Sequence, residues 1–212
     1  MFINHTYFLC FWLYFSRLFY AILPCALLIM LIFSQLFAHS QDVDVQDSTP
    51  KQEIVNSTSS LESSLNSIFL DSKNIFIENK YVFLIFIRDD CYYCRILETS
   101  IVENASINGY LSINFSSYLI NISSNIKHNI PYLKLSGVSS IDMAKLYGVT
   151  ALPYIVFIGL DSEEIIRVVG FPGERRLMRV LEFVNNDLWR RSNTQAERIE
   201  SFLKYEEDYS LK

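Results

Sequence analysis

The sequence is poor in the residues that build disulfide and metal scaffolds. Among 212 residues there are four cysteines and three histidines. Cys10 and Cys25 lie in an apolar N-terminal stretch; Cys91 and Cys94 form a Cys-x-x-Cys pair, and none is left over. That distribution excludes a framework of structural disulfides. His128 is the one histidine after residue 60, and a loop surface is the expected place for it, so a zinc site lacks ligands beyond the two thiols. Covalent haem attachment needs a histidine directly after the second cysteine, where Arg95 stands. No cofactor or metal is expected. Charge is scarce as well: 19% of residues are charged against 50% hydrophobic, which excludes wholesale disorder. The formal net charge is −5, and no basic patch is interleaved with aromatics, so nucleic acid is not an expected partner.

Charge is nearly absent from residues 1–38, where Arg17 is the only charged side chain. Tyr7 to Phe15 and Leu18 to Phe33 are almost wholly apolar. The second run is long for the core of an export signal and slightly short for a comfortable membrane span. All 23 acidic residues follow Ala38, and with Arg17 before the run this favours an N-in, C-out orientation. Two readings stay open. Residues 1–40 are a cleaved signal, with Leu36-Phe37-Ala38 or Ala38-His39-Ser40 as the cleavage site, or an uncleaved anchor that spans the inner membrane through residues 18–33. Leu23-Pro24-Cys25 is a poor lipoprotein box, because Pro24 sits where a small residue is required. Either reading implies an extracytoplasmic, periplasmic domain. Residues 41–60 carry Asp42, Asp44, Asp47, Pro50 and a Ser/Thr cluster, and read as a solvated linker. The expected division is leader 1–40, linker 41–60, folded domain 61–190 and charged C-terminal tail 191–212, the tail with a helix around Ala196 to Tyr205.

Against this background one stretch stands out, Tyr81 to Leu97. It opens as an unbroken apolar run, Val82 to Ile87, rich in β-branched and aromatic residues, the pattern of a strand buried on both faces. Asp89, Asp90 and the Cys pair follow. The period then changes: Ile96, Leu97, Ile101 and Val102 share one helical face. Two thiols therefore stand where a central strand ends and a helix begins, with the helix expected over about Tyr92 to Asn104. The helix dipole and the unpaired N–H groups of its first turn favour thiolate over thiol. A thiolate is the nucleophile of disulfide exchange, and a second cysteine one turn on can attack the mixed disulfide and release the product.

The rest of the chain supplies the frame. Leu61, Leu65, Ile68 and Phe69 predict a first helix ending near Asp71 to Asn74. A break is expected around Asn108-Gly109, then a strand over Tyr118 to Ile122. Ser123 to Ser140 reads as a long loop with one short element in it. Ile141 to Tyr147 reads as a short helix, with Ser140 as N-cap and Gly148 past its end. Tyr154 to Ile158 and Glu164 to Val169 read as the strands of a β-hairpin. Leu177, Val180, Leu181 and Val184 mark a last amphipathic helix with Arg175, Arg176 and Arg179 on its wet side. A parallel β-α-β start followed by a hairpin gives an α/β fold: a mixed central sheet with helices on both faces.

These residues resemble the thioredoxin superfamily, in particular its exported, SoxW-type branch. Three features carry the resemblance. The first is the strand–Cys91-Tyr92-Tyr93-Cys94–helix unit. The second is Ala144-Lys145-Leu146-Tyr147-Gly148-Val149-Thr150-Ala151-Leu152-Pro153, similar to the family's segment entering the third core strand. The third is the hairpin closing in Gly170 before a terminal helix. The resemblance covers about Leu61 to Asp187 and implies a thioredoxin-like fold and a thiol:disulfide oxidoreductase. It implies further that Pro153 is a cis-proline beside the Cys pair, leaving the backbone of Leu152 as an edge for an extended substrate. Cys91 becomes the attacking thiol and Cys94 the resolving one, with Tyr92 and Tyr93 as an aromatic rim for substrate or as packing residues. The implied partners are disulfide-containing proteins and a membrane thiol-relay electron donor.

The sequence also departs from the family. Thioredoxin carries a buried carboxylate six residues before the first cysteine, and Ile85 holds that position here. Glu98, one turn beyond Cys94, is a possible substitute proton acceptor; a solvated helix carboxylate is the plainer reading. No histidine stands between the cysteines, Asp89 and Asp90 oppose a thiolate, and Arg88 and Arg95 offset them in part. These features favour a reducing pair, hence a reductase. An isomerase or oxidase, and a redox-inactive binding module on the same fold, are the alternatives.

Overall fold

The computed structural model describes residues 61–210. The expectations for the leader, the linker and membrane anchoring through residues 18–33 fall outside them. No helix among the described residues is long and apolar enough to cross a membrane.

The chain opens with α1 (residues 61–68), then β1 (Tyr81–Ile87), α2 (Tyr92–Glu103), α3 (Ala105–Asn114) and β2 (Phe115–Asn121). A small hairpin follows, β3 (Lys127–Ile130) and β4 (Leu135–Ser139), joined by a single 3₁₀ turn, Pro131–Leu133. Then come α4 (Ser140–Leu146), β5 (Tyr154–Ile158), β6 (Glu164–Val169), α5 (Glu174–Asn185) and α6 (Gln195–Ser210). The main sheet has the order β2-β1-β5-β6. β1 runs parallel to β2 and antiparallel to β5, and β5 is antiparallel to β6.

β1 explains its own sequence. All seven of its residues are buried because it lies inside the sheet between two cores. Tyr81, Phe83, Ile85 and Ile87 face a core with Leu97 and Ile101 of α2, Leu111 of α3, Leu177 and Leu181 of α5 and Phe202 of α6. Val82, Leu84 and Phe86 face a second core with Ile130, Met143 and Ala144. A strand with a core on each side has no position for a polar residue, hence the unbroken apolar run.

Several expectations need correction. The break after the Cys helix falls at Asn104, and α3 runs straight through Asn108-Gly109. Asn104 ends α2 and begins α3: its side chain accepts from Ser106 N and Ile107 N at 3.1 and 3.2 Å. β2 begins three residues before Tyr118, since Ser116 and Ser117 are buried ladder residues despite their hydroxyls. The long loop 123–140 is mostly the β3–β4 hairpin. The N-cap of α4 is Ser139, whose hydroxyl accepts from Asp142 N at 3.1 Å. The charged segment after residue 190 is not a free tail. α6 sets Phe202 against Phe183 of α5, ring centroids 5.3 Å apart, buries Arg198, and pairs Glu206 with Arg176 and Arg179 at 3.0 and 3.2 Å. Its apolar residues are interleaved with seven charged ones, so charge dominates its appearance in the sequence.

Candidate active site: a disulfide at a helix N-terminus

β1 delivers residues 88–94 to one end of the sheet. Cys91 is the N-cap of α2, in extended backbone (φ −93°, ψ 106°), and its sulfur accepts from Cys94 N at 3.2 Å. The backbone carbonyl of Cys91 accepts from Arg95 N at 3.2 Å, so the first turn closes directly on the cysteine. The two sulfurs are joined in a disulfide, with Cα atoms 5.2 Å apart. Their environments differ. Cys94 is fully buried among the α2 core residues, whereas Cys91 is half-buried and reachable. A reagent from solvent therefore meets Cys91 first.

The charges around the pair are tied down. Arg88 Nε meets Asp90 Oδ1 at 2.5 Å, and Asn121 Nδ2 donates to Asp89 Oδ1 at 2.6 Å. Arg95 Nη2 donates to the carbonyl of Asp89 at 3.3 Å. Two acids and two bases thus flank the disulfide, and no single sign prevails. Asn121 went unnoticed in the sequence. The signal for it was topological: in a parallel β1–β2 pair Asn121 stands opposite Ile87, the last residue before the site. Glu98 is half-buried on α2, and burial raises its carboxyl above the ordinary carboxylate value; the Arg95 charge lowers it and Asp89 raises it by smaller amounts.

Tyr92 and Tyr93 are 72% and 60% exposed, and their rings meet edge to face at 5.4 Å. They form a raised aromatic pair beside the disulfide and take no part in the core. Phe86 faces Tyr154 across β1–β5, so the Leu152–Pro153 turn comes to the same end of the sheet as the Cys pair. The Leu152–Pro153 peptide bond is cis, Pro153 is buried, and its carbonyl accepts from Gly170 N at 2.8 Å. His128 is not a surface loop residue. It is buried on β3, its Nδ1 2.7 Å from Ser72 O and its Nε2 2.8 Å from Ser140 Oγ, where it ties β3 to α4 and to the segment before β1.

Residues 69–185 match the family described as thioredoxin-like domain. The chain belongs to that family. Among solved structures, a thioredoxin-fold protein from Helicobacter pylori superposes with a TM-score of 0.64 at 23% identity, over 72% of this chain and 99% of that one. That likeness shows the thioredoxin fold. A thioredoxin from Thermus thermophilus (TM-score 0.40, 18% identity, 50% of this chain and 73% of that one) is more distant. So is a disulphide isomerase from Xylella fastidiosa (TM-score 0.32, 14% identity, 78% and 98%). No curated protein matches the sequence.

Proposed function

We propose that this thioredoxin-like chain is an extracytoplasmic thiol:disulfide oxidoreductase of the exported, SoxW-type branch and acts as a reductase. The observation that carries the reading is the Cys91–Cys94 disulfide, with Cys91 reachable at the N-cap of α2 and Cys94 buried one turn inside. In the reduced protein the Cys91 thiolate attacks one sulfur of a substrate disulfide. That S–S bond breaks, one substrate sulfur leaves as a thiolate, and a mixed disulfide forms on Cys91. Cys94 then loses its proton and attacks Cys91 Sγ. The mixed disulfide breaks, the second substrate sulfur leaves, and the Cys91–Cys94 disulfide closes. Two electrons have passed from the protein to the substrate.

Each further residue has a role in this scheme. Leu152 and Pro153 present backbone to an extended substrate, and Tyr92 and Tyr93 form its rim. Glu98 takes the proton that Cys94 sheds. Its support is its place: four residues after Cys94, on the same side of α2, half-buried and without a hydrogen bond or ion pair among the described residues. Electrons come from a membrane thiol-relay donor, and residues 18–33 hold the chain at the inner membrane or export it. The reducing direction rests on the balanced charge at the site, since nothing there specially stabilises a Cys91 thiolate beyond the helix N-terminus.

Trapping tests the scheme. Cys94→Ser is expected to accumulate mixed disulfides with protein substrates, visible as bands that collapse on reduction, and Cys91→Ser to accumulate none. Equal behaviour of the two variants would leave a redox-inactive binding module as the better account.

A further inference from the structure

β6 is the outer strand of the sheet, and α6 leaves part of it open. The Gly170 N to Pro153 O bond of 2.8 Å marks Pro153 and Gly170 as a hydrogen-bonded pair. By alternation along an antiparallel ladder, the N–H and C=O groups of Val169 and Arg167 point away from β5, and no described residue takes them up. The opposite end of β6 is closed: Gln195 Nε2 and Arg198 Nη1 both donate to Glu164 O, at 2.7 and 2.5 Å. Beside the open part lies a groove of about 200 Å³, lined by Val168, Pro172, Ile199, Phe202 and Leu203 with Arg167 and Arg176 among them. Two of these apolar residues, Ile199 and Leu203, are 44% and 51% exposed, while Val169, whose side chain shares the face of Tyr154, borders the groove with its backbone. Exposed apolar residues scattered singly mean nothing; two on one groove beside unpaired backbone offer a surface on which a strand can dock.

One end of the groove lies toward the end of the sheet that carries the redox site. Val169 stands opposite Tyr154, the residue after Pro153, so its open backbone is at the same end of the sheet as Cys91. β6 lies two strands from β1, roughly 10 Å, or about three extended residues. We propose that this groove receives an apolar side chain of the extended substrate segment whose cysteine is joined to Cys91, with the segment adding to the open edge of β6. The assignment rests on the thiol–disulfide reading above and gives it a substrate class: disulfides in extended segments with an apolar residue about three to five positions from the cysteine. An extended peptide is the occupant because the surface offers what such a peptide needs, free main-chain donors and acceptors alternating with an apolar pocket.

The experiment uses the full-length chain, reduced beforehand with dithiothreitol and freed of it, and a set of single-cysteine peptides, each carrying a mixed disulfide with glutathione. In the set one leucine is moved stepwise away from the cysteine in an otherwise Gly/Ser sequence. A small aromatic disulfide serves as a substrate with no segment to dock. The expected result is a second-order rate constant for single-turnover reduction about tenfold higher for peptides with leucine about three to five positions away, the worth of burying one such side chain. Leu203→Asp abolishes that advantage and leaves the small disulfide unaffected. N-methylating the peptide amides beside the leucine removes the advantage in the unaltered protein, which decides the matter should the variant fail to fold. No preference at any position overturns the proposal, as does a preference that survives both changes. A dimer in sedimentation that Leu203→Asp dissociates assigns the groove to a second copy and also overturns it. Failure to turn over even the small disulfide removes the redox reading, and this one with it.

Discussion

Glu98 and His128 are the two residues whose surroundings differ most from what a lone sequence suggests. Glu98 reads as a solvated helix carboxylate, yet burial raises its pKa above the ordinary value. In the unfolded chain it returns to that ordinary value, so between the two the native state binds more protons. The stability contributed by the neutral acid is therefore full below the ordinary value and lost as pH rises through the raised one. Glu98→Gln, which is neutral throughout, is expected to be more stable than the parent near pH 7 and to lose that advantage below about pH 4. Urea midpoints across pH measure this. The same variant should slow resolution of the mixed disulfide and shift its pH profile; an unchanged profile removes Glu98 from the proton path. His128 bonds Ser72 O and Ser140 Oγ through its two ring nitrogens. His128→Ala leaves a cavity and removes two hydrogen bonds, and is expected to cost about 2–4 kcal/mol in urea unfolding without changing the redox potential. A loss below about 0.5 kcal/mol, the scale of a surface substitution, would contradict its structural role.

At the scale of elements, what was legible followed burial. β1, β5, β6, α2 and α5 stand where the apolar patterns put them, because each has its core side written in consecutive or evenly spaced residues. The 123–140 region was not legible. His128, Asn129, Ser136 and Gly137 give no strand pattern, and where the β3–β4 ladder shifts register Asn129 Oδ1 bridges it, accepting from Ser136 Oγ at 2.7 Å and Gly137 N at 3.1 Å. The helix of α6 was legible around Ala196 to Tyr205, whereas its packing was not, since charged residues surround the apolar ones it buries. Phe202 is almost fully buried against Phe183, with the Arg176 guanidinium 5.7 Å from its ring centre. Phe202→Ala is expected to destabilise the chain by about 3–5 kcal/mol, read from chemical denaturation. A change under about 1 kcal/mol, within reach of an exposed position, would mean that α6 is an appendage after all. At the site, the two cysteines and the proline turn were legible as motifs. Asn121 was not, since only strand pairing brings it to Asp89.

For the whole molecule the central claim is direction: a disulfide exchanger that gives electrons rather than takes them. The fold sets the thiols, with one sulfur reachable at a helix N-terminus and one sealed in the core. The surroundings set the potential, and here Arg88 and Arg95 answer Asp89 and Asp90 without excess. A pair so placed lacks the strong thiolate stabilisation that makes an oxidant. The most direct test is the redox potential of the Cys91–Cys94 couple in the full-length chain. It is obtained by equilibration in dithiothreitol or glutathione buffers followed by thiol alkylation. The account predicts a value below about −200 mV, and a value near −120 mV, that of a strong oxidant, would contradict it.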